Sequence, residues 1–123
     1  MYVNDMFEAR METARLEGSE SLLVRVGLAG REVCALLAVY RSPSGVLPVF
    51  LRDLAECLSS LPSTSLVVGD FNIDLNVENH LDTFSLNYCD VLNKYGFFNT
   101  IHSPTRYGRT KISLLDHILV NNC

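Results

Sequence analysis

Val68-Gly69-Asp70-Phe71-Asn72-Ile73-Asp74-Leu75 decides the reading of this chain, because an apolar strand there delivers a carboxylate and a carboxamide to its own C-terminal end. In an extended segment residues at i and i+2 share a face. Asp70 and Asn72 are therefore predicted to project together while Phe71 and Ile73 anchor the backbone from the other side. Such a pair suits divalent-metal phosphodiester chemistry. The carboxylate orients or deprotonates a water, and the amide donates to a phosphate oxygen while accepting from a neighbour. The same residues also suit a strand followed by an Asx-rich turn, since Asp and Asn hydrogen-bond locally in turns. From this stretch alone both readings stand.

Working outward, Ser21 to Val26 and Glu32 to Tyr40 are β-branched and aliphatic with Gly27, Ala29 and Gly30 between them, which predicts a hairpin. Val33 to Val39 is apolar on both faces and so predicts a central strand covered on both sides. After the loop Arg41-Ser42-Pro43-Ser44-Gly45, the residues Leu47, Phe50, Leu51, Leu54, Leu58 and Leu61 recur at helical spacing up to Pro62. Leu66-Val67-Val68 then forms the buried strand that leads into Asp70. Leu81, Phe84, Tyr88, Val91, Leu92 and Tyr95 mark a second helix stopped by Gly96, with Asp82 at its acid-favouring start. A last strand runs from about Ser113 to Val120. Strands alternating with helices indicate an α/β layered domain.

The chain has 123 residues, 48% of them apolar and 20% charged, which bounds it to one globular domain with a real core. A net charge of −4 supplies no general attraction for nucleic acid, so such a partner has to be held by local cations or a metal. Cys34, Cys57, Cys89 and Cys123 lie far apart, without the close pairs of a structural zinc site, and read as reduced, packed thiols. No secretory leader is evident and no apolar run is long enough to span a bilayer, so an intracellular, soluble protein is expected.

Tyr40-Arg41-Ser42-Pro43, a helix, Val68-Gly69-Asp70-Phe71-Asn72, a helix, Pro104-Thr105-Arg106, and Ser113-Leu114-Leu115-Asp116-His117-Ile118 follow one another in an order that resembles the endonuclease/exonuclease/phosphatase superfamily. Within it the likeness is greatest to the apurinic-like endonuclease domain of non-LTR retrotransposons. The resemblance takes in nearly all of residues 1–123 as a single partial domain, truncated at both ends. It implies an α/β fold that is a fragment of a four-layer α-β-β-α sandwich, DNase I-like, with mixed sheets and a metal-dependent cleft at one sheet edge. The complete domain is then expected to nick DNA with Mg2+ or Mn2+ and to contact the DNA phosphate backbone. A nuclear location follows if it belongs to a retrotransposon protein, and no membrane is implied. Phosphomonoester or RNA cleavage within the same superfamily, and a non-catalytic relic or interaction fragment, are the alternatives.

Carried onto this sequence, the resemblance makes Asp70 the residue that orients or deprotonates water, with a metal-ligand role also open to it. It makes Asn72 and Tyr40 the groups that steady the phosphate, and Asp116 the aspartate that orients a catalytic histidine. Thr105 and Arg106 resemble a hairpin that touches the nucleic-acid backbone. Arg41 either holds a phosphate by a bidentate contact or forms a surface salt bridge. His117 imitates the family's terminal Ser-Asp-His segment, yet Leu114-Leu115 before it and Ile118-Leu119-Val120 after it mark a strand, on which it points away from Asp116 and reads as structural. The family's upstream asparagine and metal-binding glutamate and its terminal Ser-Asp-His have no counterpart here, so the fragment is expected to be close to inactive. Glu78, His80 and Asp82 read as capping and solvation, not as a metal cluster. Arg106, Tyr107, Arg109 and Lys111 form a basic and aromatic patch that suits either a backbone-contacting hairpin or a solvated turn.

Overall fold

The computed structural model describes residues 7–43, 46–76, 79, 81–109 and 112–121. β1 (Phe7–Thr13) pairs antiparallel with β2 (Ser19–Leu28), which turns into β3 (Arg31–Arg41). The turn residues Ala29 and Gly30 have φ of 52° and 79°, the positive pair that a tight two-residue hairpin demands. α1 (Leu47–Ser59) carries the chain back over the sheet, so β4 (Ser65–Asp70) lies parallel to β3. α2 (Thr83–Lys94) starts at Asp82, whose carboxylate accepts from Ser85 N at 2.8 Å, and ends before Gly96, whose φ of 76° breaks the helix. β5 (Phe98–Asn99), β6 (Arg106–Tyr107), β7 (Ile112–Ser113) and β8 (Asp116–Val120) complete the chain. The sheet is mixed and six-stranded, in the order β1-β2-β3-β4-β8-β5, and β6 with β7 forms a separate two-stranded ribbon.

Strand alternation sorts the side chains. Leu23, Ala35, Leu37, Val39, Val67 and Leu119 face one side, where Phe50, Leu54 and Leu58 of α1 and Tyr88 and Leu92 of α2 cover them. Each large side chain so buried contributes about 1.5–3 kcal/mol. Both helices bury one stripe and expose the other, as their spacing predicts. No helix among the described residues is long and apolar enough to cross a membrane.

Three expectations change. β3 is central, but no described helix covers its second face: Cys34, Leu36 and Ala38 are half-buried and Tyr40 is exposed. The described residues therefore form a helix layer on one sheet, two of the four layers that the resemblance implies. The last strand is split, because Leu114 and Leu115 leave strand geometry between β7, which pairs with β6, and β8, which pairs with β4. β1 escapes the sequence reading. Its alternation of Phe7, Ala9 and Met11 with Glu8, Arg10 and Glu12 is an edge-strand signal hidden by complete exposure. The strand expected at Met1-Tyr2-Val3 lies outside the described residues.

Candidate active site at the rim of the sheet

The register places Tyr40 opposite Asp70 across the parallel β3–β4 pair, and Asp70 opposite Asp116 across the antiparallel β4–β8 pair. Directly opposed residues share a face and sit about 5 Å apart, so three side chains from distant parts of the sequence form one row at the sheet's rim. Tyr40 is 50% exposed, and the Asp70 side chain is 19% exposed. Glu20, opposite Tyr40 on β2, continues the row. Sequence reading leaves Glu20 unassigned, because only the register of β2 reveals its place.

The backbone after Asp70 corrects the expected geometry. β4 ends at Asp70, and Asn72 adopts a left-handed φ of 50°, so the two side chains do not align by strand alternation. A local turn joins them instead: Asn72 N donates to Asp70 Oδ1 at 3.1 Å. The same turn repeats four residues on, where Asn76 N donates to Asp74 Oδ1 at 2.9 Å. The Asx-turn reading is thus observed, and the same turn leaves the Asp70 carboxylate at the rim. Phe71 and Ile73 anchor the loop in the core as predicted, at 0% and 3% exposure. Gly69 makes the approach possible. Its φ is 152°, and a Cβ there would stand 1.8 Å from the Val39 carbonyl oxygen.

Arg41 is neither at a phosphate site nor in a surface salt bridge. It is buried, and its guanidinium donates to Phe71 O at 2.6 Å, Asn72 O at 2.9 Å and Ser42 O at 3.2 Å. Burial lowers its pKa, and the Asp70 charge opposes that. Asn72 answers by donating one amide N–H to Arg41 O at 2.6 Å. The planar fork of arginine thus clamps the loop carrying Asp70, a use of its donors on carbonyls that sequence cannot distinguish from phosphate binding.

Asp74 ties that loop to the approach of β8. It accepts from Leu114 N at 2.9 Å and from Asn79 Nδ2 at 2.7 Å, and Asn76 and Asn79 both donate to Ile112 O. Thr105 acts from the other side. Its Oγ1 accepts from Leu115 N at 3.0 Å and Asp116 N at 3.2 Å, so its hydroxyl oxygen is committed to holding the start of β8. Arg106, 56% exposed, lays Nη2 on Asp70 Oδ2 at 3.3 Å. Tyr107 and Arg109 are exposed beside it, while Lys111 lies outside the described residues.

His117 is a core residue. Its ring stacks on Phe71 with centroids 5.1 Å apart, and it is 1% exposed. Leu114 O can only accept, so the 3.2 Å contact assigns the proton to Nε2, and Nδ1 accepts from the Tyr88 hydroxyl at 2.8 Å. Burial depresses the imidazole pKa, partly opposed by its hydrogen bonding to the Leu114 and Ile73 backbone. Burial likewise pushes the Tyr88 hydroxyl well above its usual range.

Among the described residues no three His, Cys, Asp or Glu side chains are placed to hold a metal ion. The rim offers Asp70 and Asp116, and Arg106 already holds one oxygen of Asp70. These side chains alone do not make a metal site. Of the proposed polar cluster, Asp82 caps α2, and Glu78 and His80 lie outside the described residues.

No protein-family profile matches the sequence, and no curated protein matches it. Among solved structures, the endonuclease domain of TRAS1, a telomere-specific non-LTR retrotransposon, superposes with a TM-score of 0.67 at 13% identity, over 93% of this chain and 54% of that one. An endonuclease/exonuclease/phosphatase protein from Beutenbergia cavernae superposes with a TM-score of 0.59 at 17% identity, over 93% of this chain and 37% of that one. The fold is therefore a partial DNase I-like fold of the type found in these proteins, and the chain spans about half the length of the TRAS1 domain.

Proposed function

We propose that this chain carries part of the active site of a phosphodiester hydrolase, in its complete form a DNA-nicking endonuclease of a retrotransposon acting in the nucleus. The observation that supports it most is the register that aligns Tyr40, Asp70 and Asp116 on one rim. In this reading Asp70, held by the Asn72 amide, takes the proton of the attacking water or aims its lone pair at phosphorus. The half-exposed Tyr40 hydroxyl donates to a phosphoryl oxygen as charge develops there. Asn72 adds its remaining amide N–H. Asp116 orients a histidine supplied by the rest of the domain, and Arg106 leaves Asp70 for the phosphate backbone when DNA arrives. A divalent cation, Mg2+ or Mn2+, belongs to the complete domain, its principal ligand lying outside these 123 residues. With members of a coupled unit missing, the fragment alone falls short by about 10⁴-fold or more.

The test is a chimera in which this chain replaces the matching half of the TRAS1 endonuclease domain, assayed for nicking of supercoiled plasmid with Mg2+. Nicking that drops about 10³-fold or more in Asp70→Ala and in Asp116→Ala is the expected result. A folded chimera that is inert overturns the reading. Nicking by the 123-residue chain itself, lost in Asp70→Ala, overturns its incompleteness.

A further inference from the structure

Arg41 directly follows Tyr40 on β3, and strand alternation turns the two side chains apart: Tyr40 is 50% exposed at the rim, whereas Arg41 is 5% exposed. There Nε donates to Phe71 O, Nη2 to Asn72 O and Nη1 to Ser42 O, and the guanidinium carbon lies 5.8 Å from the centre of the buried Phe50 ring. Asn72 Nδ2 returns a bond to Arg41 O, so the end of β3 and the loop after β4 hold each other reciprocally. Outside the β2–β3 turn, Asn72 is the one described non-glycine residue with a left-handed φ. Such a conformation persists only where neighbouring groups over-determine it.

We propose that Arg41 is a positioning residue of the hydrolase site, setting the Asn72 carboxamide and, through the Asn72 N–H, the Asp70 carboxylate without touching substrate itself. This rests on the function proposed above. Stability alone does not call for an arginine here. A buried cation is costly to desolvate, and apolar side chains of similar volume fill such places at least as well. An apolar residue cannot, however, hold the carbonyls of two successive loop residues and of Ser42 at once, which the rigid fork of a guanidinium does. Phe71 has other anchors, since its ring packs on Phe50 and His117 and its N–H donates to Leu115 O at 2.9 Å. Asn72 is only partly buried, and its hydrogen bonds run to Arg41 and Asp70. Without the fork, Asn72 is free to leave the left-handed region. The N–H that it places on Asp70 Oδ1 at 3.1 Å leaves with it.

The test uses the chimera with the TRAS1 domain and measures kcat and KM for plasmid nicking. Arg41→Lys keeps the charge without the fork, and Arg41→Met keeps the volume without the charge. Each is expected to lower kcat about 10²-fold with KM within about threefold, the signature of displaced reacting groups. Leu58→Ala, at the far end of α1, supplies the comparison: it loses stability in melting curves and keeps kcat within about threefold. In an Asn72→Ala background, Arg41→Lys should lower kcat by less than about threefold more, because the arginine acts through Asn72. Unchanged kcat in both Arg41 variants, an effect on KM alone, an equal loss of kcat in Leu58→Ala, full additivity with Asn72→Ala, or failure of both Arg41 variants to fold overturns the proposal. An inert unsubstituted chimera is a separate result, which overturns the proposed function and this inference with it.

Discussion

Leu36 and Leu37 are neighbours on β3 with the same side chain, yet they occupy different environments. Leu37 is fully buried beneath the helices, whereas Leu36 lies half-buried on the bare face. The same contrast extends along the sheet, with Val67 against Val68 and Leu119 against Ile118. The two faces are close to equal in apolar character and differ in cover. Hydrophobic pattern therefore records which surfaces are built to be covered; the described helices cover only one of them, and among the described strand residues of the other face Val24 alone is buried.

The largest test of this contrast is Gly69→Ala, which drives a methyl group into the Val39 carbonyl across the β3–β4 pair. A loss of about 4 kcal/mol or more in urea unfolding is expected, because backbone must move. A loss below about 1 kcal/mol would show that the rim tolerates separation of the strands.

Next in size, Leu37→Ala should cost about 3 kcal/mol and leave a cavity. Leu36→Ala should cost less than about 1 kcal/mol. Equal losses would mean that both faces are covered within one chain.

The covered face also contains a titrating group. Because burial lowers the pKa of His117, the unfolded chain binds its proton more readily than the folded one. Stability is thus full above about pH 6.5 and declines as pH falls below it. Melting curves for the unmodified protein should shift downward through that window, and His117→Gln should flatten the dependence. An identical pH profile in the variant would assign the decline to other groups.

Arg106→Ala, at the rim of the bare face, should change stability by no more than about 0.5 kcal/mol, since its guanidinium is largely exposed and meets Asp70 through a single 3.3 Å contact. A larger loss by denaturant titration would show that the ribbon of β6 and β7 is docked through this contact.

Much of the fold was legible because its signals are local. The hairpin around Ala29-Gly30, both helices and the strand into Asp70 each follow from spacing and breakers within a short window. The structural place of His117 was legible too, from the apolar residues on either side. What escaped depends on partners remote in sequence. Arg41 spends its donors on Phe71 and Asn72 carbonyls, which composition does not encode. Thr105 meets the amides of Leu115 and Asp116, and Glu20 joins the rim only through the register of β2. The duplicated Asp-x-Asn of Asp70 to Asn72 and Asp74 to Asn76 was visible and signalled consecutive Asx turns, a cue against a continuing strand.

Asp116 and His117 stand side by side on β8, one at the rim and the other sealed in the interior. Nothing short of β8 adding to β4 brings Asp116 to Asp70, and that event also packs the imidazole against both Phe71 and Tyr88. Completing the rim row and completing the core are hence one step. A chain in which β8 has not yet paired has neither the row of Tyr40, Asp70 and Asp116 nor a finished interior, so the rim is only as durable as the packing beneath it.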